Sequence, residues 1–286
     1  MFSVRSRESE FTGGGRTSRA TGGDQDQDHS AENSVQPGDR SNRQGKLFVV
    51  GIGPGGKEGR THQAENAINQ SDVIFGYTRY IELASDLLGN KEVIASGMRQ
   101  EVDRCLAAIE KAETGKTVAM LSSGDPGVYG MAGLILELAN EKGCQFPIDI
   151  IAGVSAANAA AASLGAPLMC DYACISLSDL LVPWEQIKRR LEKVAEADLV
   201  TALYNPKSKK RVKQLKEAAD IFRQYRSPQT PVGVGTSVGT EEEHTIISDL
   251  DRFLDLDIGM RSIVIIGNST SRVYDNIFIT QRGYKL

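Results

Sequence analysis

The chain has 286 residues, 40% of them apolar, and a formal net charge of −4. That supports one large or two modest domains with real cores, and it offers no global basic surface for nucleic acid. No apolar run approaches the roughly 20 residues that a membrane-crossing helix needs, and no signal-peptide core opens the chain, so a cytoplasmic protein is expected.

Residues 1–45 are rich in Gly, Ser, Arg, Asp and Gln and show no hydrophobic period. Such a segment cannot bury enough surface to offset its chain entropy and reads as a disordered tail. Asp24, Asp26 and Asp28 argue against a transit peptide.

Order is expected from Lys46. Leu47-Phe48-Val49-Val50 is a short apolar run ending in glycine, as a buried parallel strand should be. The runs at 73–75, 93–95, 118–121 and 148–151 repeat it. Between them, Val102, Cys105, Leu106, Ile109 and Ala112 share one helical face, and so do Val128, Met131, Ile135 and Leu138. An alanine-rich helix follows over 156–164. After Gly165-Ala166-Pro167 the pattern restarts with a helix over 183–197, a strand over 199–203 and a basic helix from about 207 to 224. Buried strands follow at 232–234 and 263–266, with late strands at 245–247 and 277–279 that suit antiparallel edges. The alternation predicts an α/β chain: two α/β domains, 46–165 and 166–286, with mainly parallel sheets and an interdomain cleft.

Glycine-rich turns leave the strand ends. Gly51-Ile52-Gly53-Pro54-Gly55-Gly56 matches G-x-G-x-x-G, yet Pro54 has no N–H for a pyrophosphate and Asp72 precedes its strand rather than following it. A plain tight turn is the competing reading. In 122–130, Gly124 and Gly127 let a ligand approach the backbone, while Asp125 either faces a cationic or hydroxyl-bearing ligand or caps a helix starting near Val128. Ser155, after Gly153, either borders a ligand or caps the alanine helix. Three such edges converging on one crevice point to a cofactor site.

Lys207, Lys209, Lys210 and Arg211 follow Tyr204-Asn205-Pro206 at a strand's carboxyl edge. They either meet an acidic substrate or form a solvated helix face. Gly267 to Arg272 is another polar strand-edge loop. The stretch from Cys174 to Glu185 mixes small polar residues with apolar ones and carries the single tryptophan, Trp184, directly after Pro183. Cys105, Cys144, Cys170 and Cys174 contain no CxxC pair, which suits a reducing compartment. His29, His62 and His244 are scattered, so no metal is expected.

These motifs together resemble the tetrapyrrole methylases of cobalamin biosynthesis, from Lys46 to Leu286. The Gly-Pro-Gly loop at Gly53 and the Gly124-Asp125-Pro126 turn are shared across that family. Gly76-Tyr77 with Tyr80, the Ile175 to Leu181 segment, Tyr204-Asn205-Pro206 and the ending Arg282-Gly283-Tyr284 resemble the precorrin-3B C(17)-methyltransferase group, including the cobalt-factor III enzymes. The resemblance implies a homodimer with S-adenosylmethionine folded into an interdomain cleft. It carries donor binding onto Gly53, Pro54, Gly55, Gly124, Asp125, Val128, Tyr129, Ser155 and Ala156, and also onto Tyr204, Gly235 and Asn268.

The donor is a sulfonium with amino, carboxylate and adenosine groups but no phosphate, so Pro54 is no handicap. The substrate would be a macrocycle bearing many carboxylates, gripped by Lys207, Lys209, Lys210 and Arg211 with Arg79 or Arg99. Members of the group also contract the ring, which needs proton transfer at a ring hydroxyl; Ser176, Ser178 and Asp179 are the candidates.

The chain departs from the family at Cys170, where His is usual, and at Cys174, where some members have His. Thr236 and Thr240 also stand where basic residues are common. The competing functions are methylation at another ring position, nicotinamide-dependent oxidoreduction through the Gly51–Gly56 loop, and tetrapyrrole binding without catalysis.

Overall fold

Residues 44–285 are described by a computed structural model. The tail expected over 1–45, with His29, lies almost wholly outside the described residues.

The first sheet holds β1 (Lys46–Gly51), β2 (Val73–Tyr77), β3 (Glu92–Ser96), β4 (Thr117–Ser122) and β5 (Ile148–Ile151), in the order β3-β2-β4-β1-β5 and parallel throughout. Its apolar runs are continuous because both faces are covered, and successive side chains point to opposite faces. Leu47, Val49, Phe75, Val118 and Met120 pack under α3 (Glu101–Glu113) and α4 (Ala132–Glu141). Phe48, Val50, Ile74 and Leu121 pack under α1 (His62–Gln70) and Ile81 of α2 (Thr78–Leu83).

Chain order continues with α5 (Ala156–Leu164), β6 (Gly165–Ala166), β7 (Tyr172–Ser176), α6 (Trp184–Glu196), β8 (Val200–Tyr204) and α7 (Lys213–Arg223). It ends with β9 (Pro231–Thr236), β10 (His244–Asp249), β11 (Ser262–Ile266), β12 (Ser271–Tyr274) and β13 (Ile277–Thr280). The second sheet runs β10-β9-β11-β8-β7, and here the expectation of mainly parallel sheets fails. Only β7 and β8 are parallel; β11 runs antiparallel to both β8 and β9, and β10 antiparallel to β9. The connection over 237–243 is too short for the helical crossover that a parallel pair requires. The third sheet, β12-β13-β6, is small and was legible in the sequence only at 277–279.

One face of the second sheet carries α6 and α7, with Leu191, Leu203, Phe222 and Val264 in the core between them. The other face carries α5, whose Ala157, Ala160, Ala161 and Leu164 pack on Val200, Ala202, Ile263 and Ile265. The alanine helix, which belongs to 46–165 by the sequence division, packs on the second sheet. A Cβ at Gly233 would come within 2.5 Å of Leu164 Cδ1, and one at Gly235 within 3.1 Å of Ala160 Cβ. Alanine on the helix and glycine on the strand together permit this close approach.

The first sheet's carboxyl edge has an analogous junction. A Cβ at Gly51 would lie 2.6 Å from the Gly124 carbonyl oxygen and 2.8 Å from Gly153 N; a Cβ at Gly153 would collide with both Gly124 O and Gly51 O. Gly153→Ala is expected to destabilise the protein by roughly 1–3 kcal/mol through overpacking. Gly133→Ala, on α4 with open space around it, should stabilise by about 0.5–1 kcal/mol. Urea unfolding of the two variants checks the pair; equal midpoints would contradict the crowding.

Candidate functional site

A cleft of about 620 Å³ separates the carboxyl edge of the first sheet from one edge of the second. Its floor is the glycine junction. Gly53 and Gly124 form an antiparallel bridge, with Gly53 N donating to Gly124 O at 3.2 Å and Gly124 N to Gly53 O at 2.7 Å. Both have positive φ, +77° and +65°, where glycine is favoured. A Cβ at Gly124 would fit without a clash, in ordinary contact at 3.8 Å with Ala156 N, Ser155 Cα and Val154 O.

Asp125 straps the floor together. Its carboxylate accepts from Gly127 N at 2.8 Å and from Gly153 N at 3.1 Å, tying two loops. It caps no helix at Val128: α4 starts only at Ala132, and Val128 lies in the turn before it. Ser155 caps α5, accepting from Asn158 N at 3.3 Å. Tyr204 reaches across from β8, and its hydroxyl accepts from Ala157 N at 3.0 Å. Burial raises the Tyr204 phenol above its ordinary pKa, so it stays protonated and keeps a proton to donate. Tyr129, at φ +55°, stacks 5.1 Å from the Tyr204 ring and donates to the Cys174 carbonyl at 3.0 Å.

The cleft therefore gathers Pro54, Gly124, Asp125, Val128, Tyr129, Ser155, Ala156, Tyr204 and Arg79 on its walls. Gly53 and Gly55 flank Pro54 without lining the cleft themselves. Gly55 and Gly56 abut Gly239 of the other half, backbone against backbone, and Gly56 N donates to Gly239 O. Gly235 sits beneath the wall, against Val238 and Ala160.

Asn268 is not at the cleft. Because β11 is reversed, its carboxyl end lies at the far edge of the sheet, where Asn268 Nδ2 donates to Asp198 O at 3.2 Å beside the buried Arg226. The basic run is also displaced. The helix expected from 207 begins at Lys213, and 207–212 is a loop closed by Ser208 N donating to Arg211 O at 2.9 Å. Arg211 Nη2 is engaged by the Asn205 carbonyl at 2.8 Å. None of Lys207, Lys209, Lys210, Arg211 or Arg99 is on the cleft wall. Ser176 accepts from Asn205 Nδ2 at 3.0 Å and from Ser178 N at 3.2 Å, which places it one residue behind the wall. Asp179 turns away, exposed, to accept from Gln214 of α7 at 2.8 Å.

A second bay of the cleft is lined by Tyr80, which the sequence offers only as part of a motif, and by residues it does not point to: Met98 and Arg104 from the first half and Met260, Arg261 and Ile263 from the second. Val102, expected on the buried face of α3, is 49% exposed, whereas Arg104 is 6% exposed. The signal was there: Arg104 stands one and two turns before the buried Ala108 and Ala112.

A family profile for tetrapyrrole (corrin/porphyrin) methylases matches residues 46–253. A cobalt-factor III methyltransferase of Priestia megaterium is 49% identical over 245 residues, covering 84% of this chain and 45% of that protein, so the chain spans less than half of that relative. A probable cobalt-factor III C(17)-methyltransferase of Salmonella typhimurium is 46% identical over 243 residues, covering 84% of this chain and 100% of that protein. The crystal structure of the methyltransferase CobJ superposes with a TM-score of 0.78 at 32% identity, covering 83% of this chain and all of that one. The glycine floor, the opposed aromatic wall and these matches agree, and the chain belongs to the tetrapyrrole methylase family.

Proposed function

We propose that this protein methylates C-17 of cobalt-factor III or precorrin-3B, with accompanying ring contraction, in cobalamin biosynthesis, using S-adenosylmethionine. The observation that carries this is the end-to-end match to the Salmonella relative. The cleft supports it chemically. A ligand held by the Gly53–Gly124 floor meets a neutral surface of paired peptide groups, uncrowded at Gly124, rather than a cationic cradle. Pro54 lines the cleft without an N–H, which disfavours the pyrophosphate of a nicotinamide dinucleotide.

When bound, S-adenosylmethionine supplies an electrophilic methyl on a positively charged sulfur. The residues of this chain supply alignment. Gly124, Val128, Tyr129, Ser155, Ala156 and Tyr204 define where a donor lies, and the bay beyond them defines where a flat ring lies. Orientation of this kind can reach effective molarities on the order of 10⁵–10⁸ M. Positive charge disperses during transfer, so a floor of neutral dipoles favours the transition state. For ring contraction, the Ser176 hydroxyl, held by the Asn205 side-chain amide, is the best-placed group; Ser178 and Asp179 shape the turn beside it. Of the cations proposed to grip the substrate, Arg79 stands at the cleft itself. The same reading includes a homodimer, which light scattering tests.

Incubation with methyl-labelled S-adenosylmethionine and cobalt-factor III or precorrin-3B should move label onto the ring and shift its absorbance. Label staying on the donor, or calorimetric binding of a nicotinamide dinucleotide in its place, would overturn the reading. Gly124→Ala places a methyl in the floor and strains a positive φ by roughly 1–2 kcal/mol. It should weaken S-adenosylhomocysteine binding by about tenfold or more, measured by calorimetry.

A further inference from the structure

We propose that Arg104 is the anchoring site for a carboxylate of the macrocycle, a specificity-determining contact inside the second bay of the cleft. The inference rests on the tetrapyrrole reading of the substrate. Arg104 is 6% exposed and lines the cleft. Its Nη1 donates to Ser96 Oγ at 2.6 Å and to Gly97 O at 3.2 Å, both neutral acceptors, while its Nε is buried with no partner. Among the described residues it has no ion pair within 4.0 Å.

The other arginines of the cleft differ. Arg79 pairs with Glu82 at 3.3 Å, and Arg261 pairs with Glu242, all on exposed side chains. Two carboxylates also line the cleft. Asp125 is held by two backbone amides, and Glu101, one turn before Arg104 on α3, accepts from Arg99 N at 3.1 Å. Among the described residues, the one cation sunk in this wall thus lacks a counter-charge.

A buried charge is costly unless it is paired. Arginine is the side chain whose planar fork fits a carboxylate in two parallel hydrogen bonds. Beside it, Tyr77 and Tyr80 meet edge to face with centroids 5.3 Å apart, and Met98 is 60% exposed. Burial raises the Tyr80 phenol, and the Arg104 charge is the chief influence opposing that rise, so the two groups share one environment. An apolar, partly aromatic wall with a buried cation at its back fits the rim of a flat ring bearing acidic side chains.

The test compares wild type, Arg104→Met and Arg104→Lys in the full chain. Absorbance titration with cobalt-factor III in the presence of S-adenosylhomocysteine should show ring binding weakened roughly 10- to 100-fold in Arg104→Met. Arg104→Lys should recover part of that loss. KM for the ring should rise more than kcat falls. Calorimetric affinity for S-adenosylhomocysteine alone should stay within twofold of wild type. Thermal unfolding of Arg104→Met should be no lower than wild type, because the variant removes an unpaired buried charge. Unchanged ring binding in Arg104→Met overturns the assignment and leaves the methylase reading standing. Joint loss of ring affinity, donor affinity and melting temperature also overturns it, in favour of a purely structural arginine. Wild type that binds the donor but not the ring overturns the substrate reading, and this inference with it.

Discussion

Three glycines at three strand ends set the geometry on which the rest depends. Gly51 and Gly153 bring the end of β1 and the loop after β5 against the Gly124 carbonyl at distances that no side chain on either would permit, and Gly124 supplies the positive φ that turns that carbonyl toward them. Asp125 then locks that junction with its two amide contacts. The result is a floor made of peptide groups rather than side chains. A ligand resting on it meets dipoles that are already fixed and need not reorganise.

The opposite wall depends on a reversal of direction. Since β11 is antiparallel to β8 and β9, the edge facing the floor combines the ends of β8 and β9 with the beginning of β11. That puts Tyr204, Val238 and Arg261 on one wall although they come from separate parts of the chain. The register pairs Thr236 with Ser262, and their hydroxyls meet at 2.8 Å.

The sequence was most legible where local chemistry decides. The parallel sheet follows from apolar runs ending in glycine, and the placing of Gly53, Pro54, Gly124, Asp125 and Ser155 around one crevice from loops of fixed character. It was least legible where direction or distance decides. Ile263 to Ile266 reads as a buried strand whichever way it runs, so nothing in the sequence shows that the cleft takes Met260 and Arg261 from its start rather than Asn268, which the resemblance had carried over, from its end. Lys207 to Arg211 reads as a helical charge run, but the loop closes on itself through Ser208 and the helix waits until Lys213. Arg104 was masked by the usual rule that charges face water.

The meeting of Gly55 and Gly56 with Gly239 has a consequence for adaptation. Neither partner carries a side chain, so the gap between the halves cannot be retuned by exchanging rotamers; peptide thickness alone sets that aperture. Any drift toward a bulkier or slimmer macrocycle must therefore come from the rims, where Met98 and Met260 are flexible and solvent-facing, while the hard stop between the two halves stays constant.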